Sequence, residues 1–420
     1  MFEIPAAIPA PRDLRSRLAS ALHQTARNPM AKTESVTALP DLSGLGGRWF
    51  ESADGPGYVI ESIYEPGHEH GTMALHRALS IIPARLAGQI RDPRLGDCPV
   101  DQFVYVDTET TGMGGAGSLV FLAGVARFEG GYLKLRQYLL PSPAYEGGLL
   151  GGVAEELASA GAFVSYNGKS FDIPMLETRY ILSRKEPNLR AVPHLDLLHP
   201  NRRLFRGSFD SHRLVMMERE LLGFERENDC PSAEVPARYF HFQRSGDPTH
   251  ILPVLRHNAW DILSLVALAA HLAAVVDGRT APLQEARATT YEGDFGAATL
   301  AWEKTLASPS ISRGDRLEAL QQLARCSARL GEWVRAAECW QGIAEDPRLR
   351  RVSAFVELAK IQEHKSKDVW RALASVDEAL SLLDRGLLRP GPAASESCRE
   401  ALVRRQQRLA GKAARAAVPA

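Results

Sequence analysis

Four acidic residues in three separate clusters are the groups of this chain best placed to do chemistry. They are Asp107 and Glu109 in FVYVDTETTG, Asp172 in FVSYNGKSFD, and Asp261 in RHNAWDILSL. The run FVYVDTET is β-rich, and strand alternation sends residues two apart to the same face. Asp107 and Glu109 would then stand side by side with like charge, which is costly unless a cation lies between them. Hard divalent ions such as Mg²⁺ take carboxylate oxygens, and two of them about 4 Å apart stabilise both the attacking and the leaving oxygen of a phosphodiester. AFVSYNG reads as a buried strand ended by Gly168. SFDIPMLETRYIL reads as a helix with Asp172 in its first turn, where the helix N-terminus favours an acid. In His257-Asn258-Ala259-Trp260-Asp261 a helix stacks the histidine on the aspartate, while Ile262, Leu265, Val266 and Ala269 turn to the core. A histidine beside a metal-held aspartate can deprotonate a water.

The elements that must position these groups follow a recognisable order. From residue 101 the chain reads strand, strand, strand (YLKLRQYLL), helix (Leu149 to Ala160), strand, helix, strand (HLDLL), then helices. Three sequential strands followed by alternating helix and strand predict an α/β domain, a mixed sheet with helices on its faces. Carboxylates at strand ends and helix starts would converge at one edge. The run Gly112-Met113-Gly114-Gly115-Ala116-Gly117 fits G-x-G-x-x-G, but SLVFLAGVARF after it reads as a second strand rather than the helix a dinucleotide site needs. The glycines are therefore expected to connect a hairpin, and to let a nucleic-acid backbone pass close to the acids.

D-x-E after a first strand, N-x-x-x-F-D after a later strand and a final H-x-x-x-D helix resemble the DEDD branch of the ribonuclease-H-like exonucleases. The run His194-Leu195-Asp196-Leu197-Leu198, the segment from Arg226 to Pro236 and the His257-Asn258 to Asp261 helix look, more narrowly, like the YprB-type ribonuclease-H-like proteins, whose nuclease domain is followed by tetratricopeptide-like helices. The likeness covers residues 100–275 well and the C-terminal third more loosely. It implies a ribonuclease-H-like mixed sheet with an all-α tetratricopeptide-like region behind it, and a 3′–5′ exonuclease using two ions, Mg²⁺ or Mn²⁺. Asp107, Glu109, Asp172 and Asp261 match the metal-binding acids and His257 the general base. The histidine sits four residues before Asp261, the spacing of the tyrosine subclass, whereas the histidine subclass uses five.

Substrate contacts are expected from Asn167, Lys169 and Phe171, which lead into Asp172, and from the loop NRRLFRGSFDSHR. In that loop Arg202, Arg203, Arg206 and Arg213 interleave with Phe205 and Phe209. Cations for phosphates and aromatic faces for bases are what a single-strand groove requires, although a solvated charge run has the same composition. Single-stranded nucleic acid is the expected partner. A different class of function, an inactive scaffold whose repeats hold a protein partner, is the alternative, and retention of all four acids argues against it.

After Pro282 the composition turns to Ala, Leu, Glu and Arg with helical periodicity. Gly293, Ala298 and Trp302 recur as Gly331, Ala336 and Trp340 at an offset of 38 residues, and Lys367, Ala372 and Val376 form a third, degraded copy. A turn residue, a small residue where helices touch and a large one a turn later define a helical hairpin repeat. Such repeats either bind a peptide or cap the nuclease domain, and packing is favoured because a short array must bury its faces.

The expected organisation is a loosely ordered leader (1–45), an N-terminal segment packing beside the nuclease sheet (46–100), a nuclease domain (101–278), helical repeats (283–385) and a basic tail (386–420) touching nucleic acid or fraying. The N-terminal segment holds a strand pair, a helix around Met73 to Leu86, and His68 and His70 in a solvated turn. Fifty basic and fifty acidic residues cancel, which argues against non-specific coating of nucleic acid by the whole surface and leaves a local basic patch as the footprint. Five scattered cysteines read as free thiols, and the apolar run Ile262 to Val276 is interrupted by Ser264 and His271. The protein is expected to be cytoplasmic, with no membrane partner.

Overall fold

A computed structural model describes residues 39–112, 114–185, 188–279, 281–388 and 395–416, so most of the expected leader and Met113 lie outside the described residues. Among the described residues nine strands form in chain order: β1 (Arg48–Ser52), β2 (Gly55–Tyr64), β3 (Glu69–His70), β4 (Met73–Ala74), β5 (Phe103–Thr110), β6 (Val120–Glu129), β7 (Tyr132–Leu139), β8 (Ala162–Ser165) and β9 (His194–Asp196). Seven make one mixed sheet in the order β1-β2-β7-β6-β5-β8-β9, while β3 and β4 pair alone. β5, β6 and β7 are antiparallel neighbours, and β8 and β9 add parallel to β5. The glycine-rich segment joins the antiparallel β5 and β6 with Gly114 and Gly115 at positive φ, a hairpin connection as the Val-rich run after it required.

The segment 46–100 corrects one expectation. It does not lie beside the sheet but extends it, because β2 pairs along its length with β7. The helix expected from Met73 to Leu86 is broken into β4, a 3₁₀ turn (Leu75–Ser80) and a new helix α1 (Pro83–Ile90), with Pro83 at the helix start where its missing N–H costs nothing. His70 is buried rather than solvated, packed at a tilt against Phe224 with its Nε2 2.7 Å from Ser264 Oγ.

The helices continue as α2 (Glu146–Ala158), α3 (Asp172–Leu182), α4 (Leu198–Leu204), α5 (Leu214–Met217), α6 (Val235–Ser245) and α7 (Leu252–Val276). α2 and α3 cover one sheet face and α7 the other. Neighbouring residues of β7 read out the two sides: Tyr138 Oη donates to Glu156 on α2, and Gln137 Nε2 donates to Asn258 on α7. α7 is long and apolar enough to cross a membrane, yet 78% of that stretch is buried within the protein. It is the hub of the core, with Ile262, Leu265, Val266 and Ala269 against Tyr105, Leu135 and Val164.

Three antiparallel hairpins follow, α8/α9 (Pro282–Glu292, Phe295–Leu306), α10/α11 (Arg313–Leu330, Trp333–Glu345) and α12/α13 (Val352–His364, Val369–Asp384). Gly293, Gly331 and Lys367 occupy the turns, all at positive φ. Ala298, Ala336 and Ala372 are fully buried, and Trp302, Trp340 and Val376 fill the space beside them. The 38-residue offset thus marks equivalent positions. The basic tail is a docked helix, α14 (Ser395–Ala416), that buries Leu402, Leu409 and Ala413 and closes the array. Lys412 bonds Glu363 at 2.6 Å and Arg408 pairs with the same carboxylate, so part of the tail's charge holds the cap in place.

Candidate active site

Strand parity does what the D-x-E spacing required. Tyr105, Asp107 and Glu109 share the face of β5 that meets α7, and the ladder to β6 shifts register between Glu109 and Thr110, ending the strand at the site. Asp107 lies opposite Gly124 on β6, which lies opposite Gln137 on β7. Asn258 from α7 rests on that glycine: a Cβ there would stand 2.3 Å from Asn258 Oδ1. The glycine therefore admits a relay. Gln137 Nε2 donates to Asn258 Oδ1 (2.9 Å), whose Nδ2 donates to Asp107 Oδ2 (2.8 Å).

Asp172 arrives from the other direction. β8 pairs with β5 only as far as Tyr105, and the next stretch of β5 turns to Asp172 instead. The Thr108 N–H donates to Asp172 Oδ1 at 2.9 Å and its hydroxyl at 2.6 Å. The loop ahead of Asp172 is shaped by Asp196, fully buried on β9, which accepts from the backbone N–H of Asn167 (2.8 Å) and Lys169 (3.1 Å).

The carboxylates lie close enough to disturb one another. Asp107 is held well above the ordinary carboxylate range by burial first, then by Asp261, Asp172 and Glu109. Glu109 is raised by burial, Asp261 and Asp172 in the same order. Burial pushes Asp172 up to about 6 although the Thr108 bonds pull against it. Like charge gathered at a strand end and a helix start, with hard oxygen donors, is a donor set that fits divalent cations. Glu109, His257 and Asp261 each bring one ligand atom within 4.8 Å of the others.

His257 stacks on Asp261 as the helical spacing required, with Nε2 3.6 Å from Asp261 Oδ2 and 3.9 Å from Glu109 Oε1. Its Nδ1 is 2.8 Å from Asp229 Oδ1. Nδ1 lies between Asp229, which accepts, and Arg226 Nη1 at 3.1 Å, which donates. In the tautomer with its proton on Nδ1, given to the nearer Asp229, the Nε2 lone pair faces the acids, the arrangement a base requires. Burial would raise Asp229, but its bonds to His257 and Arg226 keep it below the ordinary range.

Arg226 is the cation that strand and helix patterns did not reveal. Its side chain is 3% exposed and is anchored by the wholly buried Glu218, with bonds of 2.5 and 2.8 Å. It pairs with Asp261 and reaches Asp229 at 3.2 Å. Glu218 in turn accepts from Ser264 on α7 at 2.5 Å. Asp229 and Arg226 sit in an irregular stretch without hydrophobic periodicity, and Glu218 opens a π-helical turn (Glu218–Leu222) where a charged residue reads as solvent-facing, so none of the three carried a signal. Asn258 had a signal, a polar residue inside an apolar helix.

A groove of about 1200 Å³ opens from Asp261, His257 and Arg226 and runs past Asn167, Tyr166, Arg202, Arg213, Arg219 and Phe224. Arg202 and Arg213 have no carboxylate partner among the described residues. The other expected substrate groups go elsewhere. Arg203 donates to Gln89, and Arg206 pairs with Glu318 on the helical array. Residues 198–204 are helix α4 rather than loop, so adjacent Arg202 and Arg203 point about 100° apart. Lys169 lines a separate cleft with Asp92, Arg94 and His194. Phe171 is half-buried at the start of α3.

A seven-stranded mixed sheet with helices on both faces and acids gathered at its edge defines a ribonuclease-H-like protein, and residues 104–273 match RNase_H_2, a family of the RNase_H superfamily. The chain is 31% identical over 360 residues to a Bacillus subtilis (strain 168) protein named "Uncharacterized protein YprB", an overlap covering 83% of this chain and 86% of that one. The chain belongs to the YprB family within the RNase H superfamily, a membership that points to nuclease chemistry supported by divalent metal.

Proposed function

We propose that this protein is a metal-dependent 3′–5′ exonuclease acting on single-stranded nucleic acid. The observation that carries the reading is the convergence of Asp107, Glu109, Asp172 and Asp261, of which the first three are raised by burial, Asp107 and Glu109 further by the neighbouring acids of the cluster. These are the residues that would hold Mg²⁺ or Mn²⁺. Bound there, the ions supply Lewis-acid stabilisation of a phosphodiester and activation of water. His257 accepts the proton of the attacking water at Nε2, with Asp229 holding its tautomer at Nδ1. Gln137 and Asn258 fix the Asp107 carboxylate through a neutral relay, which orients it without adding charge. Arg202 and Arg213 bind the strand's phosphates along the groove, and Tyr166 and Phe224 offer faces to its bases. Free thiols at all five cysteines support work in a reducing compartment such as the cytoplasm.

One observation favours the scaffold alternative: Arg226 already neutralises Asp261, as a resident substitute for a metal would. The same experiment separates the two. Purified protein with Mn²⁺ or Mg²⁺ is incubated with 5′-end-labelled single-stranded RNA and DNA. A ladder shortening by one nucleotide from the 3′ end, abolished by EDTA, is expected. Absence of metal-dependent cleavage of either polymer would leave the protein a scaffold.

A further inference from the structure

Where the helical array meets the sheet domain, a second cluster of like charge stands with the signs reversed. Arg91 follows the end of α1, Arg203 ends α4, Arg206 lies just beyond it, and Arg287 projects from α8. Together with Tyr291 and Glu318 they line a pocket of about 300 Å³. The only carboxylate in that lining, Glu318, is shared: Arg287 holds it at 2.7 and 3.0 Å and Arg206 at 2.9 Å. Each of the three Arg287 nitrogens is then engaged, since the remaining terminal one donates to Leu204 O at 2.6 Å.

Neither Arg91 nor Arg203 forms an ion pair with a carboxylate among the described residues, and Glu292 acts on Arg203 only as a nearby charge. Their guanidinium carbons lie 4.4 and 3.5 Å from the centroid of the same Tyr291 ring. Arg203 bonds only neutral oxygens of Gln89, and its Nε is buried without any partner. Glu292, beside the pocket, is already held by Gln89 Nε2 at 2.6 Å, and burial raises its carboxyl, weakening it as a counter-charge. Two cations sharing one aromatic ring, with an orphaned buried donor between the domains, are costly unless an anion completes them.

We infer that this junction pocket is a phosphate-binding site for a nucleotide, separate from the acid cluster. Phosphate oxygens match the forked donors of Arg203 and Arg91, and the free N–H groups of Arg206 at the mouth add a third contact. The volume suits a phosphate with its sugar. The Tyr291 ring is occupied by guanidiniums, so recognition falls on the phosphate and not on stacking of a base. Such a phosphate would arrive either on a free mononucleotide or at the 5′ end of a strand. Because the pocket draws on α1, α4 and α8, occupancy would also tighten the docking of the array.

The test uses the full chain in EDTA, which removes metal chemistry at the acid cluster and makes the outcome independent of the nuclease reading. Inorganic phosphate is titrated at constant ionic strength and followed by calorimetry and thermal unfolding. Saturable binding with a raised Tm is expected. An Arg91→Ala/Arg206→Ala variant, which leaves the Arg287–Glu318 pair intact, should bind at least about tenfold more weakly. Arg371→Ala, an exposed arginine outside the lining of either pocket, should bind as wild type. AMP displacing phosphate would assign a free nucleotide. A 5′-phosphorylated oligothymidylate displacing it where AMP does not would assign a strand end. No saturable phosphate binding, or binding retained at full strength by the double variant, overturns the site.

Discussion

The acid cluster and the helical array are built on opposite terms. At the edge of the sheet, Asp107, Glu109, Asp172 and Asp261 crowd together with one guanidinium, Arg226, among them. In the array, each turn places a left-handed residue, a buried alanine and a large buried side chain at the same offset, so the packing repeats from hairpin to hairpin. The first region is strained by its own charge and the second satisfies its packing locally. The contrast teaches where function is stored: in the place where the chain tolerates an arrangement that folding alone would not select.

The comparison breaks most sharply at Asp107. Asp107→Asn should lower cleavage on the order of 10³-fold or more while leaving the metal-free fold as stable as wild type or more so. End-labelled assays beside thermal unfolding with and without Mn²⁺ would check it. Full activity in that variant would remove the metal site. His257→Ala should lose about 10²–10⁴ in rate, and Asp229→Asn, which loosens the tautomer and one of the Arg226 contacts, about 10–100-fold.

Arg226 sharpens the comparison because it belongs to both activity and stability. Arg226→Met strands Glu218 in the core without its partner and should destabilise by about 3–5 kcal/mol, measured by urea unfolding, whereas Arg226→Met with Glu218→Gln should recover part of that loss. If the single variant unfolds at the wild-type urea concentration, the buried pair is not holding the site.

The effect of pH enters through His70. Burial, aided by the charges of Arg226 and His68, drops its imidazole to about 3, so the folded protein keeps it neutral. An unfolded chain takes up that proton near pH 6.5. The His70 contribution is therefore complete above about pH 6.5 and is lost as pH falls toward 3. His70→Gln should flatten the stability profile across that window, and an unchanged slope would show that other groups govern it.

The smallest effect lies in the array. Lys367 holds the left-handed turn position that Gly293 and Gly331 hold in the other hairpins. Lys367→Gly should stabilise by about 1 kcal/mol and leave the cleavage rate per folded molecule unchanged. A lowered Tm would mean that the Lys367 side chain supports the turn in some other way.

Both regions were legible in the amino-acid order, for different reasons. Period-two alternation put Asp107 beside Glu109, period-3.6 stacking put His257 over Asp261, and a constant offset revealed the hairpins, because each rule relates residues close along the chain. The partners of those groups were not legible. Asn258 reaches Asp107 only because Gly124, on a neighbouring strand, leaves room for it. Arg202 and Arg203 are adjacent, yet one lines the groove and the other faces the array. What sequence alone determined was which residues share a face of a strand or a helix. Which faces meet was decided by the tertiary structure: β2 joining the sheet, α7 crossing it, Glu218 and Asp229 gripping Arg226 and His257. Such contacts join residues far apart in the chain, and they depend on packing volumes and charges that no local period encodes.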